Sequence, residues 1–227
     1  MRGRESAWEG PAPIGSGEPL SRSRYAILID GGFITKKIYE RENRYATADD
    51  IVAECDRLSA VPEVAEYELL RIYFYDAEPA VDSLTTPVAR AKHELTKTDR
   101  YRASRSLFDQ LVMRPRFALR MGQVNVSPYR WRLKPGVAKQ LVKEPRVLSD
   151  SDFLLDAQQK GVDMRIGMDM ARLALRDMVR AVIVVTGDSD FVPAFKFVRR
   201  EGVVVLLDPM GQNVRPELKQ HSDVVLS

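Results

Sequence analysis

In the stretch VIVVTGDSDF, an apolar run from Val182 meets a glycine and is followed by Asp188 and Asp190, two residues apart. Carboxylates held this close resist ionising together. A partly buried group of them is unfavourable unless something neutralises it. A divalent cation does so, and donors that are all oxygen favour Mg²⁺ or Mn²⁺ over zinc. Three other apolar runs also finish at an aspartate: AILID at Asp30, RIYFYD at Asp76 and VVVLLD at Asp208. A plainer account exists for each, because aspartate after a strand is a common turn former or helix cap. Asp190 suits the N-cap of a helix over 191–201, and Asp76 and Asp208 suit turns. One aspartate of the 188/190 pair can cap the helix, and the second then has no such task.

The segment QKGVDMRIGMDM adds Asp163 and Asp169. Six helical residues are about 600°, or 240° net, so the two do not share a face. At most one of them reaches the same site directly. The remaining composition narrows the chemistry. Two histidines, His93 and His221, and one cysteine, Cys55, argue against a zinc cage or a Cys-His nucleophile pair. No G-x-S-x-G elbow is present for a serine triad. A phosphatase of the haloacid dehalogenase type needs a second aspartate two residues after the first, and Asp30 is followed by Gly31 and Gly32.

These residues need elements to hold them. YAILID reads as a buried strand, FITKKIYERE as a helix, and TADDIVAECDRLSAV as a second helix with Thr47 as N-cap. ELLRIYFYDAEP is a second strand. Residues 86–113 read as mostly helical. RFALRMGQV and PYRWRLKPG read as two strands around a proline-containing turn. LLDAQQKGVDMRIGMDMARLALRDMV reads as a long helical stretch that begins at Lys160-Gly161 or before it. AVIVVTGD, SDFVPAFKFVRREG, VVVLLDP and RPELKQHSD continue as strand, helix, strand and short helix. Alternating strands and helices with near-continuous apolar strands predict an α/β fold, with a mostly parallel sheet covered on both faces. In such a sheet the strand C-termini share one edge, where sites are built.

At 227 residues the chain suits one domain. Residues 1–24 are rich in Gly, Pro, Ser and charge and read as a flexible N-terminal tail, which leaves 25–227 as the domain. No run approaches the roughly 20 apolar residues of a membrane span, and the N-terminus lacks the apolar core of a signal peptide. The lone cysteine fits a reducing compartment, so the expected location is cytoplasmic and no membrane partner is expected. Association with further copies of the chain stays open. Residues 86–150 carry fifteen basic and five acidic side chains, while the whole chain is only +3. A basic middle in an acidic remainder fits two tasks: holding a polyanion and holding cations. A solvated helix face is the simpler alternative.

ILIDGGF, KGVDMRIGMDMARLA and VIVVTGDSDFVPAFKFVRREGVVVLL, in this order, resemble the NYN domain, a branch of the PIN-like metal-dependent nucleases, and its LabA-like members in particular. The resemblance covers about residues 25–223, and TGDSDF…G is its most specific part. It implies a PIN-like doubly wound domain with a basic helix and hairpin insertion at about 86–150. It also implies endonucleolytic cleavage of RNA at an acidic pocket holding Mg²⁺ or Mn²⁺. By position the pocket comprises Asp30, Asp163, Asp188 and Asp190, with Asp169 as second choice and Thr186 in support. Many members carry asparagine where this chain has Phe33.

The implied activity is hydrolysis of the RNA phosphodiester by metal-activated water, with Lys160 beside a phosphate and Gly31 letting backbone approach the substrate. Arginines interleaved with aromatic residues suit single-stranded RNA. Arg130, Trp131, Arg132 and Lys134 are the plainest contacts, although Trp131 could equally pack into the domain. The competing expectation is an RNA-binding or regulatory module with the same fold and weak or absent cleavage, for which the Asp30-Gly31-Gly32-Phe33 departure speaks.

Overall fold

The computed structural model describes residues 23–226, and the side chains of 125–130 and 157–159 fall outside that description. Most of the expected N-terminal tail therefore lies outside the described residues.

β1 (Arg24–Asp30) is followed by α1 (Gly31–Glu42), α2 (Ala48–Ser59) and β2 (Glu68–Ala77). Thr47 caps α2 as expected, in a reciprocal capping box with Asp50. A small hairpin, β3 (Ser83–Thr85) and β4 (Lys92–Glu94), precedes α3 (Asp99–Leu111), β5 (Phe117–Leu133) and α4 (Val137–Lys143). Then come β6 (Phe153–Lys160), α5 (Val162–Leu175), β7 (Ala181–Val185), α6 (Val192–Arg200), β8 (Val204–Asp208), α7 (Pro216–Gln220) and β9 (Val224–Val225).

The main sheet has seven strands in the order β6-β5-β2-β1-β7-β8-β9. The six from β5 to β9 are parallel, and β6 alone is antiparallel. Two apolar layers cover it. Ile34 and Ile38 of α1, Ile51, Cys55 and Leu58 of α2 and Leu107, Phe108 and Leu111 of α3 lie on one face. Ile166 and Met170 of α5, Phe195 and Val198 of α6 and Leu218 of α7 lie on the other. This is the mostly parallel, doubly wound α/β arrangement the sequence predicts.

Three local expectations are corrected. Residues 86–113 are helical only in part: they hold the second strand of a β-hairpin, a 3₁₀ turn at Leu95–Lys97 and the α-helix Asp99–Leu111. Residues 117–133 form one continuous strand, not two around a turn, because its two halves find different partners. Phe117–Gly122 pairs parallel with β2. Gln123–Leu133 pairs antiparallel with β6, through a bulge between Val126 and Trp131. The run from Leu154 to Lys160 is accordingly strand, and the following helix begins at Val162.

β5 thus continues past the carboxyl end of β2 as a two-stranded ribbon with β6. Gly122 marks the departure point: a Cβ there would stand 2.8 Å from the Lys160 carbonyl oxygen and 2.9 Å from Val162 Cγ2. Its bare backbone lets the β6–α5 junction fold back over the sheet edge.

Candidate active site at the carboxyl edge of the sheet

Strand alternation sorts Asp30, Asp76 and Asp208, three of the four aspartates that follow apolar strands. β1 turns Ala26 and Leu28 toward the α5–α6 layer and Tyr25, Ile27 and Ile29 toward the α1–α3 layer. Asp30 continues the first set. By the same alternation Thr186, after Val182 and Val184 of β7, shares its face. Asp76 and Asp208 follow Phe74 and Leu206 onto the opposite face. Asp208 is 1 % exposed, is paired with Arg57 of α2 and accepts a hydrogen bond from the Met210 amide at 2.9 Å. Asp76 accepts one from the Ala77 amide at 2.7 Å.

Asp30 N-caps α1, its Oδ1 accepting from the Phe33 amide at 3.0 Å. The buried Thr186 hydroxyl donates to Asp30 Oδ2 at 3.4 Å and accepts from the Asp188 amide at 3.2 Å. One hydroxyl therefore ties the end of β1 to the turn after β7. Asp188 in turn caps the 3₁₀ turn Ser189–Phe191, accepting from the Asp190 amide at 2.9 Å. The capping task belongs to Asp188, not to Asp190 as the sequence suggests, and α6 has no side-chain cap of its own. Asp163 stands in the first turn of α5.

The charges of these residues act on one another. Burial pushes the Asp30 carboxyl up to about 6, and the Asp163 and Asp188 charges push the same way against the Phe33 amide and the Thr186 hydroxyl. Burial, then the charges of Asp188 and Asp190, raise Asp163. Four carboxylates from three parts of the chain thus share one field.

Among the described residues, no group of three or more acidic, imidazole or thiol side chains converges tightly enough to hold an ion as it stands. By donor chemistry the four aspartates nonetheless fit a hard divalent cation: they offer oxygen alone, and their charges oppose one another until something positive lies between them.

Asp169 stands apart from this group. Its Oδ2 accepts from the Tyr75 hydroxyl and from Arg120 Nε, each at 3.0 Å. Lys160 is exposed at the end of β6, three residues before Asp163. Gly31 has a packing reason: a Cβ there would lie 2.7 Å from both Phe74 Cε1 and the Tyr75 carbonyl oxygen. The missing side chain lets α1 pack on β2. Phe33 and Gln212 lie against the turn at Gly187, each 2.7 Å from where a Cβ would stand. Gln212 and Arg120 were not singled out from sequence, where nothing separates them from other polar loop and strand residues.

On the ribbon, the Trp131 indole N–H donates to the Thr85 carbonyl at 3.0 Å, and its ring meets His93 edge-on at 5.7 Å. Trp131 therefore pins the β3–β4 hairpin to β5. Arg132 and Lys134 are exposed, and among the described residues Arg132 approaches Asp156 at 3.9 Å. The Arg130 side chain lies outside the described residues.

Residues 131–226 match the family model of the NYN domain. No curated protein matches the chain. Among solved structures, a protein of unknown function from Vibrio parahaemolyticus is similar, with 16% sequence identity and a TM-score of 0.49 over 93% of this chain and 97% of that one. No helix among the described residues is long and apolar enough to cross a membrane.

Proposed function

We propose that this protein is a metal-dependent endoribonuclease whose site is the cluster of Asp30, Asp163, Asp188 and Asp190. NYN domains are in general ribonucleases of the PIN-like class, and the match over residues 131–226 spans three of the four aspartates. The observation that carries the reading is that the Thr186 hydroxyl ties Asp30 at the end of β1 to the Asp188–Asp190 turn after β7, at the carboxyl edge where open α/β sheets place their sites.

In this reading the four carboxylates hold Mg²⁺ or Mn²⁺. The bound cation supplies charge neutralisation at the phosphate and a more acidic water. The chain's own residues do the rest. Thr186 keeps Asp30 and the Asp188 backbone in register. Asp188 sets the direction of Asp190 through the capped turn. Lys160 offers a cation to a phosphate at the mouth of the site. Arg132 and Lys134, beside the partly buried Trp131, hold the single-stranded RNA.

The test is cleavage of a labelled single-stranded RNA with Mn²⁺ or Mg²⁺, against EDTA and the Asp188→Asn variant. The expected result is metal-dependent cutting that falls about a hundredfold or more in the variant. Equal, EDTA-insensitive product from both proteins would overturn it. Binding without cutting would favour the second reading, an RNA-binding module, for which the aromatic Phe33 beside the Gly187 turn is the supporting observation.

A further inference from the structure

We propose that Arg120 contacts a phosphate of the RNA strand next to the acidic cluster, and that Asp169 and Tyr75 are the residues that position it. The inference rests on the RNA reading above but not on cleavage.

Asp30, Tyr75 and Arg120 are register partners across β1, β2 and β5. Tyr75 belongs to the α5–α6 layer, as does Ala118, two residues before Arg120. All three side chains therefore leave the same face at the same level. Adjacent strands are about 4.8 Å apart, so the Arg120 backbone lies about 10 Å from that of Asp30. Two residues further on, at Gly122, β5 leaves the parallel sheet and becomes the basic ribbon. Arg120 thus stands between the acidic cluster and the exposed cations Arg132 and Lys134, in the middle of the path a bound strand would follow.

Its mode of attachment differs from that of the two ion pairs in which both terminal nitrogens are taken up by one carboxylate. Arg146 grips Asp152 through both terminal nitrogens, at 2.7 and 2.5 Å. Arg44 grips Asp50 in the same way, at 2.6 and 2.7 Å. Arg120 instead meets Asp169 through Nε alone, at 3.0 Å. No hydrogen bond to its two terminal nitrogens is found among the described residues. Those nitrogens are the fork that recognises phosphate bidentately.

The near side of the guanidinium is fixed. The same Asp169 oxygen takes the Tyr75 hydroxyl at 3.0 Å, and the guanidinium carbon lies 5.3 Å from the centroid of the Tyr73 ring. Asp169 keeps 17% of its side-chain exposure and Arg120 36%. A cation held from one side, with free donors and a third of its surface in water, is preorganised for an anion. The angular offset between Asp163 and Asp169 completes the arrangement: α5 aims one carboxylate at the acidic cluster and the other at Arg120.

The experiment measures binding of a fluorescein-labelled oligouridylate to the full chain in EDTA, across a salt series, by anisotropy. Arg120→Ala is expected to weaken binding about tenfold and to lower the slope of log affinity against log salt by about one. Arg120→Lys keeps a cation opposite Asp169 and so controls for folding; it is expected to retain the slope but not the full affinity, because the fork is gone. Asp169→Asn is expected to weaken binding in the wild-type background and to do nothing once Arg120 is alanine. A merely structural Asp169 would give the same effect in both backgrounds. Wild-type affinity and slope in both Arg120 variants, or no RNA binding by the wild type, overturns the proposal. Failure of the nuclease reading shows separately, as absence of product when Mn²⁺ is restored.

Discussion

Asp30 is where opposing influences on one carboxyl group can be weighed. Burial lifts its pKa from an ordinary 3.8 to about 6, and two hydrogen bonds only partly offset this. Between these values the folded protein keeps a proton that the unfolded chain has released. The metal-free protein therefore loses stability as pH rises from about 4 to about 6, and the loss persists above that window. Asp30→Asn keeps an acceptor for the Phe33 amide but has no charge to bury. Urea unfolding in EDTA at about pH 4.5 and about pH 7.5 should show the variant gaining on the wild type at the higher pH. Equal differences at the two pH values would mean that the wild-type carboxylate is solvated. The aspartates and their places at the strand ends were legible in the sequence because residue type and strand position are both local. The hydroxyl that links Asp30 to the Asp188 backbone was legible only as a motif position, since Thr186 and Asp30 lie 156 residues apart.

At the scale of elements, the parity of each strand decides which aspartate does what. All four end strands alike in the sequence, yet Asp30 faces α5 while Asp208 faces α2, where Arg57 meets it. The Asp208 side chain is 2% exposed and that of Arg57 41%. Removing the arginine leaves a buried charge without its partner, whereas removing the acid leaves an arginine free to turn to water and to Glu54. Arg57→Met should therefore destabilise the protein by about 3 kcal/mol, and Asp208→Asn by clearly less. Denaturant midpoints for the two variants check the order, and the reverse order would show that the pair is not held by burial. The continuous β5 was not legible for a related reason. Its residues carry no mark of the point at which one partner strand is exchanged for another.

At the scale of the whole molecule, charge and topology meet. Segment 86–150 is not appended to the fold: α3 covers one face of the sheet, and the first half of β5 is a sheet strand. Its cations become an arm only because β5 outruns β2 at the edge where the aspartates gather. Charge reversal at the exposed Arg132 and Lys134 should weaken RNA binding and flatten its salt dependence by about one unit for each phosphate that is no longer neutralised. The melting temperature should not move. A salt slope equal to that of the wild type would place the RNA elsewhere.

The sequence by itself determined the class of fold, the Thr47 cap, the apolar faces and the candidate oxygen ligands, because these depend on residue type and on periods of two or 3.6 residues within one element. Only the tertiary structure decided which carboxylates share a field, that Gly31 serves packing, and that Asp169 holds Arg120. Each of these depends on strand order and strand parity, which bring together residues far apart in the chain and turn neighbouring ones to opposite faces.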